Sequence, residues 1–129
     1  MNDMERWYSN LREDGDYHLT NDFFLLLCDS TPIGVGGYTR IDWRNRKAEL
    51  SFYVAEVDNE EIITEALNKT LLYGLATLNL YKIYFPVYSF NPRLEIYKKV
   101  MLEEYTAYNE YFWEGKYYHR VVLVKYGHI

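Results

Sequence analysis

One hundred and twenty-nine residues at 15.6 kDa make a single domain, long enough to bury roughly two-thirds of the unfolded chain's surface. Hydrophobic residues at 49% and charged ones at 26% exclude a disordered chain. Fourteen basic residues against 19 acidic ones, a net charge of −5, argue against affinity built on neutralising nucleic-acid phosphates and suit a basic partner instead.

In chain order, residues 3–13 set Met4, Trp7, Tyr8 and Leu11 on one helical face, with Asp3 as N-cap and Asp14-Gly15 as the stop. Residues 21–29 are a short apolar run between polar turns and read as a buried strand. Ser30-Thr31-Pro32 turns the chain into a second strand, 33–42, and a third follows at 47–56. There Ala48, Leu50, Phe52 and Val54 alternate with Glu49, Ser51 and Tyr53, so the two form an antiparallel hairpin. Arg40, Arg44, Arg46 and Lys47 make its tip basic, a solvated face. Gly34, Gly36 and Gly37 sit inside a strand pattern with no helix after them, which marks a bulge or a close backbone contact rather than a phosphate loop.

Residues 61–80 carry the longest helical rhythm, through Ile63, Ala66, Leu67, Thr70, Leu71, Gly74, Leu75 and Leu78. Residues 82–89 are a buried strand in which Pro86 implies a bulge, a splay or a missing ladder partner. A helix over 91–101 opens with Asn91 as N-cap and Pro92 at its first position. Residues 103–126 read as two strands joined near Glu114-Gly115-Lys116. The order α-β-β-β-α-β-α-β-β specifies an α+β fold, a mixed sheet of about six strands covered by about three helices.

Fifteen tyrosines, against 6 Phe and 3 Trp, suit half-buried sheet faces and interfaces. A lone Cys28 forms no internal disulfide, and His18, His119 and His128 show no metal-ligand spacing. The first residues lack the apolar run of a signal peptide, and no stretch is long and apolar enough to span a bilayer, so the chain reads as cytoplasmic.

The element order and several local sequences resemble the GNAT superfamily of N-acetyltransferases, in its branch acting on ribosomal-protein N-termini and amino sugars. The likeness rests on Ile33-Gly34, the hairpin from Ile41 to Leu50, Thr64-Glu65-Ala66-Leu67, the run from Leu78 to Ile83, Asn91 with Ile96-Tyr97-Lys98-Lys99, and the run from Glu114 to Val124. It extends from about Glu5 to Lys125, as one such domain over residues 1–129 without the family's usual first strand and helix.

The resemblance implies acetyl-CoA in a splayed strand pair, its pyrophosphate on the start of the central helix, where free N–H groups and the helix dipole favour anions. It implies Tyr97 as general acid toward the departing thiolate, Glu49 as a carboxylate relaying the amine proton, and Asn91 and Val54 as cofactor contacts. The family's basic residue and two glycines ahead of that helix are here Asp58, Glu61 and Ile63. Carboxylates then stand where phosphates should, Ile63 obstructs their approach, and Asp58 with Glu61 resembles a capping box that uses up the N–H groups. The Gly-Phe that follows Tyr-x-Lys in the family is Met101-Leu102.

The leading expectation is therefore a non-catalytic protein of this fold, with no cofactor, that works by binding a basic protein partner in the manner of an immunity protein or antitoxin. The alternative is a divergent N-acetyltransferase that passes an acetyl group from acetyl-CoA to a primary amine on a protein N-terminus or amino sugar. A homodimer covering an exposed sheet edge is a third expectation. Nucleic acid, membrane and metal are not expected.

Overall fold

The alternation read at 47–56 forms a strand, β4 (Lys47–Val54), which buries Ala48, Leu50 and Val54 and turns Glu49, Ser51 and Tyr53 to the opposite face. The structure, a computed structural model, describes residues 3–9, 20–55 and 59–128. It places β4 in a seven-stranded sheet with β1 (Asp3–Ser9), β2 (Asp22–Cys28), β3 (Thr31–Asp42), β5 (Lys82–Tyr88), β6 (Leu102–Trp113) and β7 (Lys116–Tyr126). The order is β1-β2-β3-β4-β5-β7-β6. Every pair is antiparallel except β4–β5, which is parallel because helix α1 (Glu60–Leu72) carries the chain across between them. Among the described residues, no helix is long and apolar enough to cross a membrane.

The sequence pattern misleads in three places. Asp3–Ser9 is a strand, not the start of a helix. It pairs with β2 from Asp3↔Leu27 to Ser9↔Asp22, with a register shift between Glu5 and Tyr8. A short isolated helix is marginal in water, whereas the outer edge of β2 offers a row of N–H and C=O groups that only another strand satisfies. The rest of that expected helix and its stop lie outside the described residues. Among the described residues, two α-helices rather than about three therefore accompany seven strands rather than about six.

The helix expected over 61–80 is α-helical only to Leu72 and continues as a π-helical turn, Tyr73–Thr77. Tyr38 is the cause. It is fully buried, and its Oη donates to the Thr70 carbonyl at 2.7 Å, so its ring lies against Gly74 where the helix widens. Burial pushes its phenol pKa well up. Around it Leu26, Leu50, Ile63, Leu67, Leu71, Ile83 and Leu123 form the core between α1 and the sheet.

The helix expected over 91–101 shrinks to α2 (Leu94–Lys98). Asn91 Oδ1 accepts from the Arg93 N–H at 2.8 Å, and Leu94 N donates to the Asn91 carbonyl at 3.1 Å, so the chain tightens into turns before the helix starts. At the β3–β4 tip, Arg46 is not merely solvated. It donates to the Asn79 carbonyl (2.8 Å), Asn79 Oδ1 (3.1 Å) and the His128 carbonyl (2.9 Å), tying the hairpin to two distant segments.

On the β5–β6 side, Glu104 accepts from Lys82 Nζ and from Tyr126 Oη, both at 2.9 Å. The Lys82 hydrogen bond, aided by that of Tyr126, holds the Glu104 carboxyl below its usual range, and Glu104 in turn raises Lys82. The carboxyl's stabilising contribution is full above the ordinary carboxylate range and is lost as pH falls through its lowered pKa. The ammonium's contribution is full below the ordinary lysine value and is lost as pH rises through its raised pKa. Glu104→Gln should therefore lower Tm by about 1–3 °C at neutral pH and leave it unchanged in strong acid. Thermal unfolding across pH checks this, and an equal loss at every pH contradicts it.

Candidate functional site

Strands β4 and β5 pair only at Lys47↔Lys82, Ala48↔Ile83 and Glu49↔Tyr84. Beyond Glu49 they part. β4 continues against β3, and the rest of β5, including Pro86, follows β7. Pro86 has no N–H to give a ladder, and a splay is one of the three outcomes its position implied. The close seat of β3 against the end of β4 depends on Gly34, where a Cβ would stand 2.1 Å from the Tyr53 carbonyl oxygen.

Where β4 has parted from β5, a cavity of about 300 Å³, the wedge, is lined by Phe52, Tyr53 and Val54 of β4 and by Phe90, Asn91, Pro92, Arg93 and Tyr97 from the segment that follows β5. Sequence-assigned residues and one the sequence did not single out meet here. Tyr97, from α2, is 3% exposed, with its ring 5.1 Å from Phe85 and 6.1 Å from Phe52. Burial raises its pKa, against which the charge and hydrogen bond of Arg93 act. A guanidinium can only donate, so Arg93 engages a lone pair of Tyr97 Oη and leaves the hydroxyl's own hydrogen available. Arg93 Nη1 also donates to the Val54 carbonyl, the end of β4. Arg93 thus clamps the two walls of the wedge together. Its neighbours in sequence, Asn91-Pro92, signalled a helix start, but nothing local signals a partner 39 residues away.

Asn91 lines the wedge while capping the turn before α2. Val54 is fully buried and meets the cavity at the strand end. Glu49 stands apart, on the opposite face of the sheet from Tyr97, at the last paired rung where the splay begins. Its side chain is 27% exposed, 4.0 Å from Arg40, and its charge adds to burial in raising Tyr84. The structure therefore sets the Tyr97 phenol on one face of the sheet and the Glu49 carboxylate, at the last paired rung, on the other.

The start of α1 differs from the sequence reading. Asn59 is the N-cap, with Oδ1 accepting from Glu61 N (2.9 Å) and Ile62 N (3.3 Å). Asp58, the other half of the expected capping box, lies outside the described residues. Ile63 is 1% exposed and belongs to the core beneath the helix, so it does not obstruct the helix start as expected. Glu61 is exposed, and Glu60 is paired with Lys99 Nζ at 2.9 Å. A larger cavity of about 740 Å³ runs along the outer side of α1, lined by Glu60, Glu61, Glu65 and Lys69. Among the described residues, no three His, Cys, Asp or Glu side chains are placed to hold a metal ion.

An acyl-thioester arm fits the wedge, which is mostly apolar and offers Tyr97 Oη as a polar group. The phosphates of such a cofactor fit the start of α1 poorly, because Asn59 occupies two of its N–H groups and Glu60 and Glu61 bring negative charge. Lys99, the C-cap of α2, is brought to this helix start by its ion pair with Glu60.

A family model described as an acetyltransferase (GNAT) domain matches residues 2–114. The spermidine N(1)-acetyltransferase of Escherichia coli K12 is 28% identical over 108 residues, covering 81% of this chain and 58% of that protein, so the chain spans little more than half of the curated relative. Mutant forms of the spermidine/spermine N-acetyltransferase from Vibrio cholerae share the fold with a TM-score of 0.75, at 24% identity over 85% of this chain and 69% of that one. A dodecameric spermidine N-acetyltransferase from Vibrio cholerae, in an intermediate state, gives a TM-score of 0.73 at 25% identity over 83% of this chain and 65% of that one.

Proposed function

The chain belongs to the GNAT family of acetyltransferase domains, and from that premise we propose that it is a divergent acetyl-CoA-dependent N-acetyltransferase acting on a primary amine of a polyamine-like cation. The observation that carries this reading is the wedge beyond Glu49↔Tyr84, with the buried Tyr97 in its lining and a carboxylate at the last paired rung. Acetyl-CoA, when bound, supplies an acetyl group activated as a thioester. Tyr97 keeps its Oη proton through neutral pH because burial raises its pKa, which makes it a donor into the wedge. Glu49 is the carboxylate that takes the proton of an incoming ammonium on the other face. Arg93 holds α2 against Val54 and keeps Tyr97 in place.

Family membership supports this enzyme over the non-catalytic, cofactor-free binding protein suggested by the acidic loop. Part of that suggestion also weakens on geometry, since Ile63 is buried rather than barring the helix start. The acceptor class is supported by the net charge of −5, which attracts polycations, and by the spermidine acetyltransferases among its relatives.

Titration calorimetry and thermal unfolding with acetyl-CoA test the reading. Saturable binding is expected, weak because the start of α1 is capped and acidic, together with a rise in Tm that grows with ligand concentration. Absence of both at millimolar acetyl-CoA overturns it.

A further inference from the structure

Aromatic rings gather at the tip of the β6–β7 hairpin. Glu114 and Gly115, with φ of 48° and 78°, form the two-residue turn that sets Trp113 opposite Lys116. Tyr111 and Trp113 are two residues apart on β6 and share a face, their rings 6.4 Å apart and 16° from parallel. Phe90, from the turn after β5, meets the Tyr111 ring at 5.7 Å and the Tyr118 ring edge-on at 4.9 Å. Tyr88 stacks on Phe90 at 5.7 Å and 5° from parallel, which steadies it. These elements enclose a cavity of about 450 Å³ lined by Phe90, Tyr111, Trp113, Tyr118 and one carboxylate, Glu114.

Aromatic faces and a carboxylate together are the chemistry of an ammonium site. The ring quadrupole attracts a cation, the carboxylate adds charge, and the apolar walls take the methylenes beside the nitrogen. An anion is repelled by both features, and a neutral apolar guest makes no use of the carboxylate. One such contact already exists at the hairpin, where Lys116 Nζ stands 5.5 Å from the centroid of the Tyr118 ring. Nearby, Glu110 is met by Arg120 at 3.4 Å, whereas Glu114 makes no ion pair among the described residues. Phe90 also lines the wedge, so the two cavities share a wall.

We propose that this aromatic cradle binds the far ammonium group of a polyamine-like acceptor. Its part in the reaction rests on the acetyltransferase reading, but its affinity for cations does not.

Calorimetric titration of the full chain with spermidine, without acetyl-CoA, reads the cradle alone. Saturable binding is expected, weakened about tenfold in Trp113→Ala and about threefold in Glu114→Gln, and absent for an uncharged diol of the same chain length. Trp113 is 54% exposed, so both variants are expected to fold, which circular dichroism checks. Spermidine affinity unchanged in both variants, or equal binding of the diol, overturns the proposal. Tyr97→Phe separates the two sites, because it removes the donor from the wedge and should leave spermidine affinity intact. If Trp113→Ala weakens binding in a chain that shows no affinity for acetyl-CoA, the cradle stands and the acetyltransferase reading falls.

Discussion

Replacing Tyr97 with phenylalanine is expected to slow acetyl transfer by about 10²- to 10⁴-fold while leaving the fold in place. The ring stays, so its packing against Phe85 and Phe52 is kept. What goes is one buried oxygen. Arg93 retains the Val54 carbonyl as an acceptor, so the stability lost is about 1 kcal/mol, the ordinary scale for one hydrogen bond. On the proposed mechanism, in which the hydroxyl is a proton donor to the reacting atoms, steady-state kinetics with spermidine and acetyl-CoA should show the loss in kcat rather than KM. In the parent chain, burial raises the phenol pKa, so the rate should hold through neutral pH and fall only above the usual phenol range. A rate within a fewfold of the parent, with the same pH profile, would remove Tyr97 from the chemistry.

The second large effect is on stability. A methyl group added at Gly74 meets Tyr38 Oη at 2.3 Å, its Cζ at 2.5 Å and Ile83 Cδ1 at 3.0 Å. None of these can retreat easily. Tyr38 is fully buried and anchored to the Thr70 carbonyl, and Ile83 is equally enclosed. Alanine ordinarily gains about 1 kcal/mol over glycine within a helix, but overpacking of this severity costs about 3 kcal/mol or more. The net expectation for Gly74→Ala is a loss of about 2 kcal/mol, or roughly 6–10 °C in Tm. Adding Tyr38→Phe removes the nearest atom, so the double variant should lose less than the sum of the two single changes. Thermal unfolding of the four proteins completes the cycle. Strict additivity would show that the two residues do not collide.

Both predictions concern residues visible in the sequence for other reasons. Tyr97 stood out through its family resemblance, and Gly74 as one member of a helical stripe. Their neighbours did not stand out. Tyr38 lies on β3, well before Gly74, and its ring decides that the helix widens into a π turn there. Arg93, which no sequence feature singled out, bridges the end of β4 to Tyr97. By residue type alone Ile63 obstructs the start of α1, because residue type carries no direction. The helical phase turns Ile63 into the core.

Local periodicity determined much of the architecture. The alternation at 47–56, the rhythm at 61–80 and the apolar run with Pro86 at 82–89 each encode a state through contacts that an isolated segment can already favour. An α+β class with a parallel crossover followed from their order. Pro86 and the family resemblance already pointed to a splay, but the tertiary structure alone decided the state of Asp3–Ser9, the rung at which the β4–β5 ladder stops, and the gathering of Phe90 with the hairpin rings. Each of these depends on a partner far along the chain. An edge that needs hydrogen bonds, a ladder that stops at Glu49, and rings brought together from separate strands have no counterpart in the spacing of adjacent residues.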